Sequence, residues 1–592
     1  MDKIREIQKK LVQANLDAYI VSSSDEHNSE YLSDYYKARA YLSGFTGSAG
    51  TLVILRKKSF LWTDGRYHIQ ASKQLEGKNI ILMKQGTPGV PTIEEFLATN
   101  LHEENTIAFD GKVTSTSFVL KLLEKAPNIK INPNVDFISE VWEDRPHLPF
   151  SFLYKLEEFF TGKSFKDKLH DVKEKILEYQ ADIHIISSLE DQAWLYNLRA
   201  NDIPHTPVFL AFTLIDQEAC HLFIDPKKID KIIEKYLKEN GIVLHEYTDF
   251  YSYLATLENK SILLDLNKAN YALYSLLNSK NTLINKPDPT LLMKAIKNDV
   301  EIENTIHAHI KDGVAFTKLM YYVKTNIQEE ASISELSVQN RLQKLRQAQE
   351  SYVDISFNTI CAYKDHGAMM HYSATTESNY TLEPNDFLLI DSGGHYLDGT
   401  TDITRTLALG ELTDMQKLHF TTVLKSVIAL SEAIFLKGVK GMNLDILARG
   451  PIWKQLIDYK CGTGHGVGFL LSVHEAPNGF RWQIVPERND SAEFVSGMIT
   501  TNEPGIYLEN KYGIRIENEM VCVPKGKSEF GEFLGFETIT YAPIDLDAID
   551  VNLLNEDEKN WLNQYHKKVY KLISPYLEEE EKEWLKKYTK EI

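Results

Sequence analysis

Residues 387–406 read Phe-Leu-Leu-Ile-Asp-Ser-Gly-Gly-His-Tyr-Leu-Asp-Gly-Thr-Thr-Asp-Ile-Thr-Arg-Thr. An apolar strand ends on Asp391, a glycine-rich stretch reverses the chain, and a returning strand carries Asp402. A carboxylate at the end of a buried strand is costly without a partner, so something must satisfy Asp391. A hairpin reversing near Tyr396 and Leu397 sets Asp391 opposite Asp402, whereas a tight turn at Asp398-Gly399 shifts that register. Alone, either aspartate reads as a turn or capping residue. Together they read as a pair of cation ligands.

Three further segments extend this reading. Glu503 in TTNEPGIYL (500–508) and Glu517 in YGIRIENEM (512–520) have Asn510 as their midpoint, inside the turn-like ENKYG. A hairpin centred there pairs them across its strands. Arg515, Glu517 and Glu519 alternate with Ile514 and Ile516, so the polar set shares one face. Glu519 is a competing ligand, and the hairpin register favours Glu517. His465 lies in GTGHGVG (462–468), where glycines allow unusual backbone angles and close approach. That spacing matches neither a dinucleotide fingerprint nor a P-loop. Four carboxylates brought together would repel one another and take up protons. Two hard divalent cations would remove that penalty and convert a shared water into a nucleophile at neutral pH. The expectation is a dinuclear metallohydrolase held by Asp391, Asp402, His465, Glu503 and Glu517.

His371 in HGAMMHYS and His474 in SVHEAPNG are candidates for proton transfer or oxyanion stabilisation. His366, His307 and His309 read as loop and helix-surface residues, and Cys461 as packing. No GxSxG elbow or HExxH helix is present, so serine-hydrolase and zincin chemistry find no support.

The 592 residues exceed what one core can fill and predict several domains. Lys+Arg 65 against Asp+Glu 84 gives a net charge of −19, which argues against nucleic acid or an anionic membrane as the main partner. No apolar run reaches the roughly 18 residues of a membrane span. The N-terminus places Ile4, Ile7 and Leu11 on one helical face and lacks the features of a secretory signal. The four cysteines are scattered, with no CxxC pair, which makes a reducing cytoplasm the expected location.

Proline-bearing joints at EDRPHLPF and NKPDPT divide the chain into expected domains 1–147, 148–297 and 298–592. The segment from Leu16 to Glu26 resembles that from Ala181 to Asp191, and each follows an amphipathic helix. This pattern predicts two duplicated α/β domains. In the third domain Ile302, Ile306 and Ile310 recur every four residues, as on a core-facing helix. The Glu578–Glu581 run near the end reads as a solvated helix face.

IDSGGHYLDGTTDITRT, GTGHGVG, HEAPNG, TNEPGIY and GIRIENE together resemble the pita-bread metallopeptidases. Within that group they are similar to the aminopeptidase P (Xaa-Pro aminopeptidase) family in its long, three-domain cytosolic form. FTGSAG, WTDGRY, VWEDRP and residues 193–212 resemble its N-terminal domains, and WLNQYHKKVY its C-terminal extension. The resemblance implies an α/β (α+β) chain with two creatinase-like N-terminal domains and a pita-bread catalytic domain with a helical extension. It implies that Asp391 chelates one metal, that Asp402 and Glu517 bridge both, and that His465 and Glu503 complete the ligand set of the second metal. The family's usual ion is Mn²⁺, with Co²⁺ or Zn²⁺ able to substitute.

The implied reaction is hydrolysis of an N-terminal Xaa-Pro bond by a metal-bound hydroxide. His474 stabilises the oxyanion, Glu503 relays a proton and His371 holds the substrate. Tyr507 and Arg515 line the site, and Arg66 in WTDGRY reaches it from the first domain of the same or a neighbouring subunit. The implied partners are peptides with proline second and another copy of the chain, docked through the catalytic domain near Trp453. Many relatives carry histidine where this chain has Cys461, so no role is carried over to that position. The alternatives are a prolidase-type dipeptidase, which two N-terminal domains and the C-terminal helices disfavour, and a non-catalytic peptide-binding protein on the same fold.

Overall fold

Ile4, Ile7 and Leu11 form the buried face of the first helix, Lys3–Gln13, which packs on the sheet built around the strand Ala18–Ser22. The computed structural model describes residues 3–328, 332–485 and 489–592. The chain forms two compact units, one of Met1–Glu157 with Lys163–Leu291 and one of Glu158–Gly162 with Leu292–Ile592.

The first unit contains two six-stranded sheets of the same design. The first runs Ile81–Lys84, Ser59–Thr63, Thr51–Leu55, Ala18–Ser22, Thr106–Ala108, Lys130–Asn132. The second runs Ile242–His245, Cys220–Ile224, Ala211–Ile215, Ile183–Ile186, Ser261–Leu264, Thr282–Asn285. Each central strand pairs antiparallel to one neighbour and parallel to the other, and the remaining pairings match in sense. The likeness between residues 16–26 and 181–191 therefore marks equivalent central strands in two copies of one topology. Buried polar contacts join the copies. His27 lies 2.8 Å from the Ser187 carbonyl and 2.9 Å from the Tyr247 hydroxyl, and the Asn270 amide donates to the Glu26 carbonyl at 2.8 Å.

The second unit opens with the helix Asp299–Asn326, started by a reciprocal cap between Asn298 and Glu301. The isoleucine stripe packs on the core clusters as expected, along the edge of the buried face. Ile302, Ile306 and Ile310 are only half-buried, and the fully buried face carries Thr305, Ala308, His309, Asp312, Phe316, Leu319, Met320 and Val323. Small and polar side chains occupy much of this inner face, so a search for large apolar residues finds its flank instead.

Two sheets supply the site. One pairs Phe387–Ser392 with Ile360–Tyr363 on one side and Ile403–Ala408 on the other. The larger runs Ile434–Leu436, Gly531–Thr538, Asn518–Ser528, Ile499–Asn502, Gly464–Gly466, Glu475–Phe480. The C-terminal helix Glu556–Ile573 buries Leu562, Tyr565 and Val569, with Trp561 packed beside them. Glu578–Glu580 are exposed as expected, but the run also starts a helix, because Glu581 caps the Glu578 amide at 3.0 Å and lies 3.4 Å from Lys318.

Candidate metal centre

Each expected ligand sits at or beside a strand end. Asp391 is near the end of Phe387–Ser392, and Asp402 immediately precedes Ile403–Ala408. The hairpin between them reverses at Leu397-Asp398, with Tyr396 opposite Gly399, so Asp391 faces Thr404 and Asp402 lies on the diagonal. The reversal falls one position beyond Tyr396-Leu397 and one short of Asp398-Gly399, so the observed register lies between the two expected ones.

Glu503 and Glu517 face each other across a gap in a long hairpin. On one side of the gap Gly505 pairs with Arg515, and on the other Asn502 pairs with Asn518, in the register centred on Asn510. His465 is the middle residue of Gly464–Gly466. The glycines beside it serve close approach and do not adopt positive φ. A Cβ on Gly464 would lie 2.0 Å from the Thr501 carbonyl, and one on Gly466 would lie 2.3 Å from that of Glu475.

Ligand atoms of Asp402, His465 and Glu517 lie within 4.8 Å of one another. His465 Nε2 is 3.6 Å from Asp402 Oδ2 and 3.4 Å from Glu503 Oε1. Its Nδ1 lies 3.0 Å from the Gly466 carbonyl. Since that carbonyl can only accept, Nδ1 carries the proton and Nε2 turns a lone pair towards the carboxylates, as a metal-ligating histidine requires. Arg515 pairs with Asp391 Oδ2 and donates to the Tyr507 hydroxyl at 2.6 Å. Thr404 donates to Glu517 at 2.7 Å. Among the described residues, Asp391 Oδ1 and Asp402 Oδ1 are buried without a hydrogen-bond partner.

The electrostatics carry the same message. Burial, then Glu517 and Asp391, holds the Asp402 carboxyl well above its ordinary range. Burial, then Glu503 and Asp391, does the same to Glu517. Glu503 is pushed up to about 7 by burial, against the lowering influence of Arg515. Such a set is stable either protonated or with cations, and its oxygen-rich donors with one imidazole fit a pair of hard divalent ions.

His474 packs edge-on against His465, with ring centroids 4.4 Å apart. His371 is half-buried, just beyond the short helix Lys364–Ala368. Burial pushes the Cys461 thiol up to about 11, with Glu503 adding to the shift. Arg66 forms a two-pronged contact with Asp64 of its own turn, at 2.8 and 2.7 Å.

Several supporting residues escaped the sequence reading. Glu519, weighed as a ligand, accepts from the Asp402 backbone N–H at 2.6 Å, and His309 Nε2 lies 3.2 Å from its other oxygen. His309 is therefore buried, not on a helix surface. His366 is also buried, 2.9 Å from Glu335 and stacked against Tyr372 and Tyr380. His307 is exposed as expected. Lys297 pairs with Glu475, the neighbour of His474. Arg405 donates to the Glu517 carbonyl at 2.6 Å and to the Tyr565 hydroxyl at 2.6 Å, joining the centre to the C-terminal helix. Its one sequence signal is a cation inside the strand pattern ITRT, where a buried arginine needs acceptors.

The chain matches the Creatinase/Prolidase N-terminal domain over residues 3–141 and again, through a second family description of the same name, over 144–301. It matches Metallopeptidase family M24 over 303–524 and the C-terminal region of peptidase M24 over 532–592. It is 37% identical to Xaa-Pro aminopeptidase 1 of Dictyostelium discoideum, across 97% of this chain and 93% of that one. It is 35% identical to Aminopeptidase P2 of Arabidopsis thaliana, across 95% and 84%. Among solved structures, the X-prolyl aminopeptidase of Caenorhabditis elegans, described as a cytosolic enzyme with a di-nuclear active site, superposes with a TM-score of 0.93 at 32% identity, covering 100% of this chain and 98% of that one. The Xaa-Pro dipeptidase of Bacillus anthracis shares the fold, at 24% identity and a TM-score of 0.51 over 65% of this chain.

Proposed function

Because this chain belongs to metallopeptidase family M24, we propose that it is a metalloaminopeptidase that removes the first residue from peptides whose second residue is proline. The observation that carries this reading is the end-to-end likeness to Xaa-Pro aminopeptidases, with a carboxylate–imidazole cluster where the family's chemistry needs one. The dipeptidase alternative is not favoured, since the B. anthracis likeness stops at 65% of the chain.

Asp391, Asp402, His465, Glu503 and Glu517 are the residues that would hold two divalent cations. Bound there, the cations would acidify a shared water and polarise the scissile carbonyl. The remaining work falls to this chain's own side chains. Glu503, whose carboxyl lies 3.4 Å from His465 Nε2, takes a proton at its carboxylate and passes it to the departing proline nitrogen. His474, packed on His465, donates to the carbonyl oxygen as negative charge develops there. His371 holds the substrate, and the Arg515–Tyr507 pair fixes one wall and the orientation of Asp391.

The ions are Mn²⁺, on the grounds of oxygen-rich ligation. The enzyme acts in the cytoplasm, which accords with four cysteines that form no disulfide. It works as a homodimer through the M24 unit. Trp453 and Trp482, 37% and 46% exposed, meet edge to face, and Leu456 beside them is 96% exposed, an apolar patch that a second copy would cover. The deciding assay offers Arg-Pro-Pro and an Xaa-Pro dipeptide to chelated and Mn²⁺-refilled protein. Release of arginine from the tripeptide, abolished by chelation and restored by Mn²⁺, is expected. Cleavage of the dipeptide alone, or activity indifferent to chelation, would overturn the reading.

A further inference from the structure

A second group of ligand-type side chains lies on the second six-stranded sheet, outside the M24 unit. His221 belongs to Cys220–Ile224 and His245 ends the edge strand Ile242–His245. These strands run parallel, with His221 opposite Val243 and Phe223 opposite His245. The two histidines are thus displaced by two positions and project from the same face. His221 Nδ1 lies 2.9 Å from His245 Nε2.

Local structure fixes which nitrogen does what. Asp216, in the turn before Cys220–Ile224, accepts the backbone N–H groups of Glu218 and Ala219 at 2.8 and 2.7 Å through Oδ1. Its Oδ2 lies 3.4 Å from His221 Nε2. A carboxylate there keeps the His221 proton on Nε2 and leaves the Nδ1 lone pair facing His245. This is the carboxylate–histidine arrangement that orients metal-ligating imidazoles. Phe223 stacks on His245 with centroids 4.5 Å apart, and the Tyr253 ring lies 5.7 Å from His221 and 5.4 Å from His245. Burial, then His221, pushes the His245 pKa down, which favours its neutral form.

We infer that His221 Nδ1 and His245 Nε2 form a two-imidazole chelate for a borderline divalent transition-metal ion such as Zn²⁺, Ni²⁺ or Cu²⁺. In the metal-free protein the two nitrogens face each other at the spacing of an N–H···N bond. Two imidazole nitrogens on one tetrahedral zinc lie about 3.3 Å apart, so the rings need open by only a few tenths of an ångström and turn to converge on the ion. On binding, the His245 proton moves from Nε2 to Nδ1 through solvent, and the ion takes its place. Water fills the remaining positions. Imidazole donors select these ions over Mn²⁺, so the site differs in preference from the oxygen-rich acidic centre. A bound ion would pin the edge strand to its neighbour.

The test uses the full chain with Mn²⁺ in the acidic centre, crystallised with Zn²⁺, and anomalous diffraction at the zinc edge. A peak between His221 and His245 is expected in the natural protein. It should be absent in His245→Phe, which keeps the stacking on Phe223, and in His221→Gln. In solution, equilibrium dialysis against Zn²⁺ should show each variant binding one ion fewer per chain. No peak between the imidazoles, or unchanged zinc binding in both variants, would overturn the inference.

Discussion

The M24 unit buries charge in two different ways. Arg449 donates to Asp445 at 2.7 Å and to the Tyr459 carbonyl at 2.9 Å, while the Thr463 hydroxyl donates to Asp445 at 2.6 Å. Arg346 grips Asp312 with two bonds of 2.7 and 3.0 Å, and the Tyr396 hydroxyl adds a third at 3.0 Å. In these clusters the chain supplies a cation for each fully buried anion. In the acidic centre, four carboxylates share one imidazole and one guanidinium, and two buried oxygens have no partner among the described residues. Charge balanced within the chain holds the fold, whereas charge left unbalanced reserves a place for something from outside. The two kinds are also adjacent, since the Arg449 cluster includes Thr463, two residues before His465.

This contrast is sharpest in what substitution should do. Glu517→Ala is expected to reduce Xaa-Pro cleavage by more than roughly 10³-fold, because losing a shared ligand forfeits several kcal/mol of barrier lowering. The metal-free variant should unfold at the same or higher denaturant concentration than the natural protein, since one repelling anion is gone. A metal-free variant that unfolds much more easily would mean Glu517 is structural.

Arg449→Ala should behave in the opposite way. It should cost about 3–5 kcal/mol of stability in urea unfolding, with or without metal, because Asp445 is left buried and uncompensated. Unchanged stability would remove the distinction.

The pH dependence separates the two sets next. Glu503 has its folded carboxyl raised from 4.5 to about 7 without cations, so the folded protein binds the extra proton. Metal-free stability from this group is greatest at low pH and falls as pH rises from about 4.5 to 7, by on the order of 3 kcal/mol. Asp402 and Glu517, also raised, act in the same direction. Metal-loaded protein should lack this decline when melting temperatures are compared across the range. A flat metal-free profile would contradict the reading of the site as an unbalanced acid cluster.

The smallest effect should come from the support behind the ligands. Glu519→Gln loosens the contacts to the Asp402 amide and His309 and should reduce metal affinity by roughly 10–100-fold, read by titration of activity with Mn²⁺. If catalysis at saturating Mn²⁺ falls as far as in Glu517→Ala, Glu519 acts on the reaction directly.

Part of this molecule was legible before any coordinates. The hairpin register about Asn510 followed from counting alone, because strand pairing conserves the sum of residue numbers. The helix–strand duplication was readable because both copies place an apolar strand after an amphipathic helix. The Asp391–Asp402 register was less readable, since reversals at Tyr396-Leu397 and at Asp398-Gly399 both fit the residues, and the chain turns between them at Leu397-Asp398. The burial of His309 and His366 was not readable, because nothing local distinguishes a buried histidine from an exposed one, and Arg405 and Glu519 showed only that a charge stood in a strand pattern.

The sequence by itself determined the donor types, the strand-end positions that carry them and the family to which they belong, because these depend on residue chemistry and short-range periodicity. Only the tertiary structure decided which acid supports instead of facing the cluster, which buried arginines are satisfied, and that two histidines on neighbouring strands meet. Those outcomes depend on side chains that are distant in sequence but adjacent in space, and on whether burial leaves each charge a partner.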